Sequence, residues 1–65
     1  MNFVRKGDMI KVKSKIIVIR IIFETYYSDK DGWMIEGMDE NLKYFMWKQW
    51  ADGGELIQER KGERR

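Results

Sequence analysis

The chain has 65 residues, with 13 basic and 11 acidic side chains, a net charge of +2, no Cys and no His. That length allows one small domain, near the lower limit of independent folding. The composition excludes disulfides, thiolate metal sites and any mechanism built on imidazole, leaving a dense aromatic and β-branched core or self-association to supply stability.

The first signal is "RKGDMIKVK", residues 5–13, where Gly7-Asp8 marks a turn and Ile10 and Val12 alternate with Lys11 and Lys13. That alternation predicts a half-buried strand. "KIIVIRIIFETYY", residues 15–27, predicts a long second strand in which Ile17, Ile19, Ile21 and Phe23 form one core face. A strand this long in so small a protein is expected to bend and serve two sheets. Its apolar run "IIVIRIIF" is interrupted by Arg20 and falls far short of the roughly 20 residues that a membrane-crossing helix needs. No secretory h-region opens the chain, so an intracellular, cytoplasmic protein without a membrane partner is expected.

"SDKDG", residues 28–32, carries the Asp-Gly signature of a tight hairpin, and "WMIEG" is the third strand. "MDEN" is then a turn, and residues 43–50 pair back on the third strand. An alternative α+β reading makes residues 39–52 a helix with Asp39 as its N-cap and Gly53 at its end. The strand is preferred because Tyr, Phe and Trp favour strands over helices. "ADGG" supplies a turn or a single 3₁₀ turn, and "ELIQE" a short final strand. One domain over residues 1–59 is followed by a flexible charged tail over residues 60–65.

Five short strands, a bent second strand and a turn before a short last strand suggest an all-β, five-stranded SH3-like barrel. "KGDMIKV", residues 6–12, resembles the Lys-Gly-Asp turn and following strand of SH3 domains. "DGWMIEG", residues 31–37, is similar to their Asp-Gly-Trp-Trp-x-Gly segment, with Met34 in place of the second Trp. The resemblance implies the barrel shape. It does not extend to recognition of Pro-rich peptides, because ALYDY-like and Pro-x-x-Tyr elements are absent and only Trp33 matches a ligand-binding position.

Catalysis is not expected, since Asp29 and Asp31, or Asp39 and Glu40, read as turn residues that serve local hydrogen bonds. "SDKDG" offers two carboxylates, too few for a calcium loop, and no metal or cofactor is assigned. Charge separates along the chain: residues 1–24 hold six basic and two acidic groups, and residues 25–54 hold three basic and six acidic. The basic part suggests a nucleic-acid surface of Arg5, Lys6, Lys11, Lys13, Lys15 and Arg20 with aromatic stacking. The acidic part, with its aromatics, suggests a protein-binding surface of Tyr26, Tyr27, Trp33, Tyr44, Lys48 and Trp50, suited to Arg- or Lys-containing partners or to a homodimer. A small regulator or inhibitor acting through protein contacts is the preferred reading, because acidic groups among the aromatics repel phosphate. Between Trp47 and Trp50, alternation places Trp47 with Phe45 in the core and Trp50 with Tyr44 and Lys48 at the surface.

Overall fold

The computed structural model describes residues 4–58; the charged tail predicted over residues 60–65 lies outside them. Five strands follow one another as β1 (Met9–Val12), β2 (Lys15–Ser28), β3 (Gly32–Asp39), β4 (Tyr44–Lys48) and β5 (Glu55–Ile57). A single helical turn, α1 (Gln49–Asp52), separates β4 from β5. All pairings are antiparallel, in the order β4-β3-β2-β1-β5. The all-β expectation holds. The sheet is open, with β4 and β5 at its two edges. The helix alternative over residues 39–52 does not form, and the fourth strand stops at Lys48, two residues before its expected end. No helix among the described residues is long and apolar enough to cross a membrane.

The long second strand does serve two partners. Its residues 15–18 pair with β1, and residues 19–28 pair with β3. Early in the second of these parts the register slips twice. Ile19 opposes Asp39 but Ile21 opposes Met38, and Ile22 opposes Gly37 but Glu24 opposes Glu36. Each slip places one extra residue, Arg20 and then Phe23, in β2. Such bulges bend a strand and increase its twist. Gly37 makes the bend possible: a Cβ there would overlap the carbonyl oxygen of Ile21.

The bulges also change which side chains face inward. Ile10, Ile19, Ile35, Trp47 and Val4 are the buried apolar core, with Val12, Ile17, Ile22, Trp33, Phe45 and Leu56 packed against it. The expected face of Ile17, Ile19, Ile21 and Phe23 is therefore only half correct. Ile21 and Phe23 are exposed, and Ile22 takes the inward place because Arg20 shifts the alternation by one. Trp47 is 2% exposed and Phe45 packs against the core, as alternation predicts.

Two polar contacts lock the ends of this core. The Trp47 indole Nε1–H donates to the carbonyl of Gly53 at 2.8 Å, tying β4 to the turn before β5. Asp8 is only 4% exposed. Its Oδ2 accepts from the Arg5 backbone N–H at 2.8 Å and from Gln58 Nε2 at 3.4 Å. The Gly7-Asp8 turn is thereby fastened to the segment after β5.

The two bulges separate positions that look equivalent in the Ile-rich run. Ile19→Asp buries an unpaired charge and is expected to abolish folding. Phe23→Ser removes only an exposed ring that stacks on Tyr44 at 6.5 Å, so it should cost less than about 1.5 kcal/mol. Urea denaturation followed by circular dichroism checks both outcomes.

Candidate functional site

Opposite residues in a ladder share a face, so the register divides the expected site residues into two groups. On the inner face, Thr25, Ile35 and Trp47 lie in one row, and the neighbouring row is Tyr27 and Trp33. On the outer face the rows are Tyr26, Met34 and Lys48; Glu24, Glu36 and Met46; and Ile21, Met38 and Tyr44. Tyr26, Tyr44 and Lys48 therefore lie on the opposite side of the sheet from Tyr27 and Trp33.

Trp50 belongs to α1 and not to β4, so its position is set by the helical turn. Its backbone N–H donates to the Asp31 carbonyl at 3.1 Å, and Gln49 Oε1 accepts from the Trp33 N–H at 3.2 Å. These bonds fold α1 back over the β2–β3 hairpin. The Trp50 ring then lies over Gly32, where any Cβ would collide with it. Gly32 also has φ +73°, a conformation that favours glycine in a hairpin turn.

The result is an aromatic trio. Tyr27 meets Trp33 edge to face at 5.4 Å and Trp50 edge to face at 6.5 Å. Trp50 is 54% exposed, Tyr27 is exposed and Trp33 is half-buried against the core. Beside the trio runs the acidic turn. Ser28 Oγ accepts from the Asp31 N–H at 2.9 Å. Asp29 is exposed and Asp31 partly so. Exposed rings next to a turn that carries two carboxylates and one lysine, Lys30, suit an Arg or Lys side chain, which is attracted by rings and carboxylates alike.

The outer face is a second apolar surface. Ile21, Phe23, Tyr26, Tyr44 and Met46 are all exposed. The Tyr44 hydroxyl donates to Glu36 Oε2 at 2.7 Å. That bond raises the Tyr44 pKa above its ordinary value of 10.0, and partial desolvation and the Glu36 charge act in the same direction. Of these residues, Ile21 and Phe23 were expected in the core, whereas alternation places Met46 on the face of Tyr44, where it is found. The one available signal was Arg20, a charge that interrupts an apolar run where a bulge can expose it.

The six basic residues are exposed but form no stripe. Lys11 lies on the outer face opposite Ile16 and Glu55, Lys15 pairs with Val12 on the inner side, and Lys13 belongs to the turn between β1 and β2. The alternation expected of Lys11, Lys13 and Lys15 therefore breaks at the turn. Lys11, Lys13, Gly54 and Glu55 line a shallow depression, whose carboxylate offsets the two lysines. Arg5 and Lys6 lie in the first turn, and Arg20 in the bulge. Among the described residues, no three acidic side chains come together as a cation site requires.

No protein-family model, curated protein or solved structure matches the chain.

The Tyr44–Glu36 contact can be read directly. Subtracting the tyrosinate absorbance titration of Tyr44→Phe from that of the wild type isolates Tyr44, whose midpoint should lie above 10.0. Glu36→Gln should bring it down. The contact's stabilising effect is complete below the ordinary pKa and is lost as pH rises through the raised one.

Proposed function

We propose that the chain is a non-catalytic binding module that holds an Arg- or Lys-containing segment of a protein partner against Tyr27, Trp33 and Trp50. The observation that carries this reading is the contact of Tyr27 with both Trp33 and Trp50 next to the turn that bears Asp29 and Asp31. A cation placed there gains ring-face attraction and carboxylate pairing together, whereas a phosphate is repelled. The basic residues, scattered over two faces and a turn, supply no comparable track for a nucleic-acid backbone.

We further read the architecture as an SH3-like, half-open barrel. The bent β2 shared by two pairings, β5 lying beside β1 and the helical turn between β4 and β5 support that reading. So does Trp33, the residue that matches an SH3 ligand-binding position. A chain with this much binding surface and so small a core fits a regulator or inhibitor that works by occupying a partner.

Tryptophan fluorescence tests the reading, with an alternating Ala-Arg peptide and its Ala-Glu counterpart as probes. The basic peptide should bind and the acidic one should not. Trp50→Ala and Asp31→Asn should each weaken binding about tenfold, close to 1.4 kcal/mol, while Trp50→Ala leaves the denaturation midpoint nearly unchanged. Binding that is indifferent to both substitutions would overturn the assignment. Tight binding of mixed-sequence DNA or RNA, lost on reversing Lys11 and Lys13 to Glu, would move the function to nucleic acid.

A further inference from the structure

The fourth strand is an edge of the sheet, paired with β3 alone. In an antiparallel ladder, alternate residues turn their N–H and C=O groups to opposite sides of the strand. The Asp39 N–H donates to the Lys43 carbonyl at 2.9 Å. By alternation Lys43, Phe45 and Trp47 bond toward β3, and Tyr44, Met46 and Lys48 point their backbone groups outward. The Lys48 N–H is already taken by Asp52 Oδ2 at 2.9 Å. Among the described residues, no strand lies beside the outward groups of Tyr44 and Met46.

Edges are normally blunted by Pro, bulges, central charges or short length. The other edge, β5, has only three residues and begins with Glu55. Tyr44–Lys48 has five residues, "YFMWK", in unbroken register with β3. Its single charge is at the end. Met46, at its centre, is 48% exposed, and Tyr44 is 56% exposed.

We propose that a second copy of this chain pairs with this edge, the two β4 strands running antiparallel about a two-fold axis at Met46. The register is self-complementary. The Met46 N–H meets the partner's Met46 carbonyl, and the Tyr44 N–H meets the partner's Lys48 carbonyl, each twice by symmetry. Asp52 holds the Lys48 N–H on the side from which the partner strand comes, so in the dimer its carboxylate swings aside and that N–H passes to the partner's Tyr44 carbonyl.

The outer-face side chains match as well. The Met46 side chains meet at the axis. Lys48 lies across from the partner's Tyr44, whose hydroxyl is held by a carboxylate, Glu36, in the same copy. A lysine thus faces an aromatic ring with a negative charge at its rim, on each side of the axis. A five-residue edge buries less than the roughly 1,200 Å² of a strong interface, so the dimer is weak and forms with rising concentration. This pairing is independent of the cationic-segment site, which lies on the other face of the sheet.

Sedimentation velocity from micromolar to millimolar protein tests the proposal, with isotope-filtered NMR on a mixture of labelled and unlabelled chains. The mass should rise toward a dimer, and contacts between copies should link Met46 to Met46 and Tyr44 to Lys48. Met46→Pro removes an N–H that β3 does not use, a substitution that edge strands tolerate. Met46→Lys places like charges at the axis without touching the backbone, and so serves even where the proline variant fails to fold. Either substitution should raise the dissociation constant at least about tenfold, with unchanged circular dichroism for Met46→Lys, whereas Trp50→Ala should leave it alone. A monomer at every concentration would overturn the proposal, as would a dimer that survives Met46→Lys or whose contacts lie elsewhere.

Discussion

Where Gly37 meets Ile21, two backbones come so close that no side chain fits between them. This approach lies between the two register slips of β2, and the rest of the architecture depends on it. A straight β2 would pair with one partner along one face. The bent strand turns its first part to β1 and its second to β3, so that one chain segment closes over Ile10, Ile19, Ile35 and Trp47 from two directions. The inward residues of β2 then run 17, 19, 22, 25 and 27, with a skip at each extra residue. The same skips carry Ile21 and Phe23 to the outside.

A core this small leaves much apolar surface unburied. Among the described residues Ile16, Ile21, Phe23, Tyr26, Tyr27, Leu42, Tyr44, Met46 and Trp50 are all exposed. A small domain has too little interior to cover them, which is the general surface-to-volume problem. Their placement divides their roles. Tyr27 and Trp50 continue the core past Trp33 and end in solvent beside the acidic turn. Phe23, Tyr44 and Met46 form the outer face and reach the β4 edge. The two proposed roles, binding and self-pairing, therefore draw on the same excess, on opposite sides of one sheet.

Turns and the succession of strands along the chain were legible because their signals are local. Gly7-Asp8, Asp31-Gly32 and the Asp39 turn each use a side chain or a conformation that the backbone requires. The inward placement of Trp47 and Phe45 followed from simple alternation. The bulges did not follow, because residues 16–23 are apolar on both alternating sets except at Arg20, and a shift between two such phases leaves only that one charge as a trace in the pattern. Trp50 was assigned to the surface correctly but for the wrong reason: a helical turn, not a strand, turns it outward. That turn also brings it to Tyr27, far away in sequence, through bonds accepted by the Asp31 carbonyl and Gln49 Oε1 that composition does not announce. Tyr26, Tyr44 and Lys48 looked like members of the same surface because face membership depends on register, which only the hairpin geometry sets.

The most direct measurement of the central claim is the pattern of inter-strand NOEs between β2 and β3. The bulged register predicts contacts of Ile19 with Asp39, Ile21 with Met38, Ile22 with Gly37 and Thr25 with Ile35. An unbroken ladder starting from Ile19 and Asp39 would instead pair Ile21 with Gly37 and Phe23 with Ile35. That second pattern would return Ile21 and Phe23 to the core face and contradict the bend on which both proposed surfaces rest.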